Sequence, residues 1–207
     1  MSDRNDVPAA RTRRPVLDGH APADPFALLR DWAPANDDPD RPCATLATVD
    51  EAGLPDARTV LLSSVTRDTV TFHSATDSRK SAQLLAHPRA ALVVRWDAEA
   101  RQVVLRGPVS QSSARERRIA FARRSRYLQV LAWLNTPELA GLDRPERERR
   151  WAAFDQGHPD LEPPPNWVGY ALRPADILFW EGSADGPSRR VRYRRPAGVW
   201  EMEALAG

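Results

Sequence analysis

The chain has 207 residues, of which 42% are hydrophobic and 28% are charged, and its formal net charge is +2 at pH 7. These proportions are typical of one globular domain, and no apolar run reaches the length of a transmembrane helix. The single cysteine excludes a disulfide framework and a thiolate metal cluster, and the four histidines lack metal-ligand spacing. We therefore expect a cytoplasmic protein with no structural metal and no membrane partner.

The predicted elements begin with a polar, proline-containing arm over residues 1–23, which we expect to be flexible and to precede a single domain over residues 24–207. The first helix of that domain is capped by Asp24 and extends to Trp32. Further helices are predicted over residues 78–87, 113–125, 127–133 and 146–154. Strands are predicted over residues 43–49, 57–65, 69–74, 90–96, 101–112, 167–172, 176–181, 190–195 and 199–205.

The order of these elements indicates the fold class, which we expect to be mainly β with helices (α+β). The turn residues at 50–55 join two of the short strands in a hairpin, and only one helix interrupts the first five strands. Because strands that are joined by short turns pair antiparallel, the sequence predicts an antiparallel barrel and not a parallel doubly wound sheet.

The segment FHSATDSRKSAQL at residues 72–84 contains the strongest signal for a ligand. A strand ends within it, and Asp77 or Ser78 caps the next helix, so that Arg79 and Lys80 lie in the first helical turn. Cations at this end of a helix oppose its dipole unless an anion lies in front of them. Lys80 is also the only lysine in the chain, which indicates a need for a compact charge. The pattern predicts a phosphate site; the alternative is a solvated basic helix start.

A second notable cation lies on the predicted strand over residues 57–65. Arg58 shares the more buried face of this strand with Val60 and Leu62. Since a charge on a buried face is costly unless it is paired, we expect Arg58 to have an anionic partner.

Five motifs in order along the chain resemble the pyridoxamine 5′-phosphate oxidase family of FMN split-barrel proteins, including its phenazine-biosynthesis branch. They are ARTVLL at 57–62, FHSATDSRKSAQL at 72–84, RQVVLRG at 101–107, WVGYALRPADILFWEG at 167–182 and RRVRY at 189–193. The resemblance implies a six-stranded antiparallel FMN-binding split β-barrel with peripheral helices. It also implies a homodimer that holds two FMN molecules between its subunits and uses strands within residues 160–207 for dimerisation.

The resemblance further implies which residues contact the cofactor. They are Arg58, Thr59, Val60, Leu61, Leu62, His73, Ser74, Arg79, Lys80 and Gln102 of one subunit, with Trp180 and Arg190 of the other. Arg79 and Lys80 would bind the phosphate of FMN, and Gln102 would approach its isoalloxazine ring. The cofactor would then supply the anion that Arg58 needs.

The substrate site departs from the pattern of the family. The chain has Ser63 where the family has a lysine, and the family's phosphate-binding tyrosine and serine fall at Ala120 and Leu128. Arg124 remains at the arginine position between them. Since each charge-assisted hydrogen bond contributes about 1.5–3 kcal/mol, these losses weaken the binding of a phosphorylated substrate. The residues expected to face the substrate are Ser63, Arg124, Ser188 and Arg189.

The phosphate-site pattern and the resemblance together favour an FMN-dependent oxidoreductase. It would oxidise a small cyclic or amine-bearing metabolite by hydride transfer to FMN, with reoxidation by O₂. No catalytic side chain is assigned, because the flavin would perform the chemistry. Two alternatives stay open: a genuine pyridoxamine/pyridoxine 5′-phosphate oxidase, and a non-catalytic flavin-binding protein. A nucleic-acid partner is not expected, because the arginines at 115–126 encircle their helix instead of forming one stripe.

Overall fold

The computed structural model describes residue 17, residues 21–36, residue 38 and residues 41–206. The helices are α1 (Pro25–Trp32), α2 (Arg79–Ala86), α3 (Ala114–Ala122), α4 (Arg126–Leu134), α5 (Pro137–Ala140) and α6 (Arg144–Gly157). The strands are β1 (Cys43–Val49), β2 (Pro55–Val65), β3 (Val70–Ala75), β4 (Arg89–Trp96), β5 (Arg101–Gln111), β6 (Trp167–Leu172), β7 (Asp176–Glu181), β8 (Arg189–Arg194) and β9 (Glu201–Leu205). Every predicted helix and strand is present, with ends that differ by a few residues.

The ends that differ have local causes. Helix α6 begins at Arg144, because the Asp143 carboxylate accepts a hydrogen bond from the Glu146 N–H group (2.9 Å) and so caps the helix. Strand β2 begins at Pro55, because the antiparallel register of the first hairpin extends to the pair Val49 and Pro55.

The sequence predicts helix caps at Asp24, at Ser113 with Glu116, and at Asp77 or Ser78, and the first two are confirmed. The Asp24 carboxylate accepts a hydrogen bond from the Phe26 N–H group (3.0 Å) at the start of α1. Ser113 and Glu116 form a reciprocal capping box on α3. Ser78 occupies the N-cap position of α2, but its hydroxyl makes no capping bond and contacts other serine hydroxyls instead.

The predicted antiparallel barrel is confirmed. The strands follow the order β4-β1-β2-β3-β6-β5, and a further pairing between β4 and β5 closes these six strands into a barrel. The 11-residue strand β5 makes closure possible, since it pairs with β4, β6 and β7 along its length. Strands β7, β8 and β9 continue the sheet beyond the barrel. Closure removes the edges of the six barrel strands, so their backbone groups pair with one another.

The core fills the barrel with the inward side chains of these strands. Leu46, Leu62, Phe72, Leu92 and Leu105 are each at most 1% exposed. Helix α1 adds further apolar side chains to the same cluster. This continuous core keeps the strands rigid, so polar side chains at the strand ends have defined positions.

The predicted N-terminal arm over residues 1–23 lies mostly outside the described residues. Where it is described, it contacts the sheet. Leu17 is buried and its N–H group donates to the Glu181 carboxylate (3.3 Å). The Tyr193 hydroxyl donates to the backbone oxygen of Pro22 (2.8 Å). The flexibility of the arm stays a prediction.

Among the helices of the described residues, none has both the length and the apolar character that crossing a membrane requires.

Gly107 provides a test of how tightly β5 approaches the loop before β7. A Cβ atom at this position would lie 2.2 Å from the backbone oxygen of Arg173. We expect Gly107→Ala to lower the free energy of unfolding by about 2–3 kcal/mol, because backbone must move to relieve the clash. Gly157→Ala is the control, since its Cβ would have no atom within 4 Å. Equal denaturant midpoints for the two variants in urea titrations would contradict the described packing.

Candidate functional site

A cluster of hydroxyl groups surrounds the start of helix α2. The Ser78 hydroxyl lies 3.0 Å from those of both Ser74 and Ser81. The Ser81 hydroxyl donates to the backbone oxygen of Ala75 (2.6 Å), and the Lys80 ammonium donates to the Ser74 hydroxyl (3.0 Å). Hydroxyls, an ammonium and the free N–H groups of the first helical turn therefore lie within one small region.

Lys80 carries a charge that its surroundings do not neutralise. Its side chain is half-buried, and no carboxylate within the described part of the chain forms an ion pair with it. Burial lowers the pKa of the Lys80 ammonium below its usual value, and the nearby Arg58 guanidinium lowers it further. A bound anion would offset both the cost of burying this charge and its repulsion by Arg58.

The anionic partner that Arg58 requires is Asp56. The Asp56 carboxylate forms an ion pair with Arg58 at 2.6 Å, and this guanidinium also donates to Gln83 (2.8 Å) and Thr48 (2.5 Å). The expectation that the cofactor supplies this anion is thus wrong, because the chain supplies it. Thr48, Asp56 and Gln83 are partners of Arg58 that we did not predict from the sequence. For Asp56 a signal was present, since residues two apart on a strand share a face.

Asp56 also forms an ion pair with Arg79 (3.1 Å), so it joins the strand arginine to the helix. A hydrogen bond from Gln83, together with the two arginines, holds the pKa of the Asp56 carboxyl below its usual value. Three cations (Arg58, Arg79 and Lys80) and one carboxylate sum to a charge of +2. A phosphate monoester carries about −1.5 to −2 at pH 7, so the charges match.

A second group of predicted cofactor residues lies on β5, β7 and β8. Gln102 is the register partner of Trp180, and Trp180 is the register partner of Arg190. These three residues line an open cleft of about 420 Å³ with Arg95, Asp97, Ala100 and Arg101. We expected Gln102 to act beside Arg58 in one subunit; the register instead groups it with Trp180 and Arg190.

The predicted substrate residues fall into two separate places. Ser63 and Arg124 both contact a stacked pair of rings, in which His73 and Trp167 are 4.2 Å apart with an interplanar angle of 6°: Ser63 bonds to His73 and Arg124 lies over Trp167. Ser188 and Arg189 instead lie at the start of β8, next to the cleft that Arg190 lines. Trp167 was missed, because nothing in the sequence distinguishes it from a core aromatic residue.

Two residues at the ring stack (the stacked rings of His73 and Trp167) have strongly lowered pKa values. The Ser63 hydroxyl is 2.7 Å from His73 Nδ1, and the Arg124 guanidinium lies 4.9 Å from the centroid of Trp167. Burial, followed by the charges of Arg124 and Arg117, lowers the pKa of His73 to about 3, so its imidazole is neutral at pH 7. Burial lowers the pKa of Arg124 to about 10, and its guanidinium has no carboxylate partner in the described ranges.

Residues 59–62, which we expect to contact the cofactor, lie on β2 next to Arg58. No set of three or more histidine, cysteine and acidic side chains within the described residues is placed to bind a metal ion. The side chains brought together are therefore suited to bind an anion and a flat ring, and they include no acid–base pair that we can assign.

Comparisons with known proteins identify the family to which the chain is similar. Residues 39–181 match the family model described as pyridoxamine 5′-phosphate oxidase, and residues 167–207 match the one described as pyridoxine 5′-phosphate oxidase C-terminal dimerisation region. A pyridoxine/pyridoxamine 5′-phosphate oxidase of Pseudomonas paraeruginosa is 36% identical, covering 97% of each chain. One of Chromohalobacter salexigens is 37% identical, covering 90% of each chain.

Solved structures show the same fold. PhzG from Burkholderia lata 383, in complex with tetrahydrophenazine-1-carboxylic acid, has a TM-score of 0.77 at 24% identity, covering 95% of this chain and 98% of that one. A pyridoxamine 5′-phosphate oxidase-related, FMN binding protein from Nostoc punctiforme PCC 73102 has a TM-score of 0.67 at 24% identity, covering 80% of this chain and 88% of that one.

The low pKa of His73 predicts a specific acid sensitivity. Because the unfolded chain has a His73 pKa near 6.5, it binds a proton there before the folded protein does. The stability that neutral His73 contributes is therefore complete above pH 6.5 and is lost as the pH falls toward 3. We expect His73→Gln to lose less stability than the wild type between pH 6.5 and 4.5, measured by urea unfolding.

His87→Gln is the matched control for this experiment, since His87 is exposed. It should follow the wild-type dependence on pH. A His73 imidazole that titrates between pH 5 and 7 in NMR spectra would contradict the described burial.

Proposed function

This chain belongs to the pyridoxamine 5′-phosphate oxidase family, and we propose that it is an FMN-dependent oxidoreductase acting on a small cyclic metabolite. The observation that carries the proposal is the half-buried Lys80 ammonium, which has no carboxylate partner within the described residues and lies at the N-terminus of α2. A phosphate monoester is the ligand that best fits this charge and this geometry.

The residues at the start of α2 fit the phosphate of FMN. Lys80 and Arg79 would bind it, with the serine hydroxyls as further donors. Arg58 would contact the flavin from a position that Asp56 and Gln83 hold in place. When bound, FMN would supply the oxidising power for removal of a hydride from a substrate C–H bond, with O₂ as the proposed electron acceptor.

The second group of residues supports a homodimer. Residues 167–207 match a dimerisation region, and this segment includes Trp180 and Arg190. Each subunit would present Arg58, Arg79 and Lys80 to one FMN, and Gln102, Trp180 and Arg190 to the other. Two FMN molecules would then lie between the subunits, as the family resemblance implies.

The cytoplasm remains the location that we expect for this protein.

The ring stack favours a substrate with one carboxylate over a phosphorylated one. The Arg124 guanidinium can pair with a single carboxylate. The other guanidinium at the stack, that of Arg117, donates to the backbone oxygen of Trp167 (3.2 Å), and Ser63, Ala120 and Leu128 carry no charge. Neutral His73 holds the Ser63 hydroxyl by a hydrogen bond and so orients it. The PhzG structure contains tetrahydrophenazine-1-carboxylic acid, and a cyclic carboxylic acid is the class of molecule that we propose for this chain.

A second candidate is pyridoxamine or pyridoxine 5′-phosphate. It is favoured by the curated relatives, which carry that activity in their names and share more than a third of their residues with this chain. A third candidate is a flavin-binding protein without catalysis, since the side chains that the described site brings together include no acid–base pair that we can assign. Peroxide formation by the FMN-loaded protein with tetrahydrophenazine-1-carboxylic acid and with pyridoxamine 5′-phosphate separates the three.

The phosphate site is tested by FMN binding, measured by quenching of flavin fluorescence. We expect Lys80→Met to raise the Kd of FMN at least tenfold, because one charge-assisted contact is lost. The Kd of riboflavin, which has no phosphate, should not change. Arg115→Met on the exposed part of α3 is the control. A wild-type protein that binds neither flavin would refute the proposed function.

The substrate site is tested by Arg124→Gln. We expect this variant to raise the KM for a cyclic carboxylic acid about tenfold or more, because the guanidinium that pairs with the carboxylate is removed. Arg118→Gln on the same helix, which is exposed, should keep the wild-type KM. If both variants oxidise the acid with unchanged KM, Arg124 does not bind the substrate.

A further inference from the structure

Arg95 extends the row of predicted cofactor residues by one strand. In the register of the sheet, Arg95 pairs with Gln102, Gln102 with Trp180, and Trp180 with Arg190. The four residues therefore form one transverse row across β4, β5, β7 and β8. Direct neighbours in such a row lie on the same face, with Cβ atoms about 5 Å apart.

All four residues of the row also line the same open cleft of about 420 Å³. Strand register shows that the backbones of the four residues are aligned, and the lining of the cleft shows that their side chains face one space. The row has a cation at each end and an amide and an indole between them. A flat, polar ring that lies over the amide and the indole would meet a guanidinium at either edge.

The charges around the cleft leave Arg95 available. Its carboxylate partner is Asp97 at 2.7 Å, and both side chains are more than 60% exposed, so the pair is weak. Arg101, the other arginine of the cleft, is buried and already paired with Glu181. Arg95 can therefore exchange Asp97 for a ligand at little cost, whereas Arg101 cannot.

We propose that Arg95 is a further cofactor-binding residue, which contacts the flavin ring from the edge opposite Arg190. This inference rests on the proposed binding of FMN. A cation at the ring stabilises the negative charge that two-electron reduction adds, so Arg95 also raises the reduction potential of the bound flavin.

The test compares Arg95→Gln with Arg89→Gln. Both arginines are exposed and lie on the same face of β4, and six residues of strand separate them by about 20 Å. We expect Arg95→Gln to raise the Kd by about tenfold for FMN and for riboflavin alike, because the contact is to the ring. The midpoint potential of the bound flavin should fall. Arg89→Gln should match the wild type in Kd and in potential.

Asp97→Asn separates a ligand contact from a structural ion pair. If Arg95 binds the flavin, this variant binds FMN at least as tightly as the wild type, because a competing carboxylate is gone. If Asp97→Asn weakens binding as Arg95→Gln does, the pair is structural and the inference is wrong. Equal Kd values for Arg95→Gln and Arg89→Gln would also overturn it while the proposed function stands. A wild type that binds no flavin would overturn both.

Discussion

Uncompensated positive charge at the start of α2 is the interaction on which the candidate site depends. The Lys80 ammonium is half-buried beside Arg58 and has no carboxylate partner in the described part of the chain, and its burial and the Arg58 charge both lower its pKa. A cation in this position opposes the helix dipole and costs stability in the absence of a ligand. Binding of an anion removes that cost, so the ligand and the folded state stabilise each other.

The closed barrel places this charge and keeps it in position. Arg58 on β2 and Gln83 on α2 hydrogen-bond each other, and Asp56 pairs with Arg58 and Arg79, so the strand and the helix are joined by polar contacts. A cofactor phosphate would therefore meet preorganised donors, which lowers the entropic cost of binding. Gln102 and its row lie in a separate cleft. A dimer is the simplest arrangement in which one flavin contacts both groups.

At the proposed substrate site, the chain keeps the fold of its family but has fewer positive charges than the family pattern, since Ser63 replaces a lysine. Arg124 lies over one ring of the stack, and Ser63 is held by a neutral His73. Burial explains both the neutral imidazole and the lowered pKa of Arg124. Arg117 donates to the backbone oxygen of Trp167, so Arg124 is the guanidinium left to pair with an acid. One such group suits a singly charged acid better than a phosphate, and this is the basis of the substrate class that we propose.

The strands and helices, the antiparallel barrel and the helix start that carries Lys80 could be predicted from the amino-acid sequence, because they follow from local alternation, turns and caps. The need of Arg58 for an anion could be predicted in the same way. The identity of this anion, Asp56, and the grouping of Gln102 with Trp180 emerge only in the folded chain. Such pairings depend on register and on barrel closure, which bring together residues that are distant along the chain and that local patterns cannot relate.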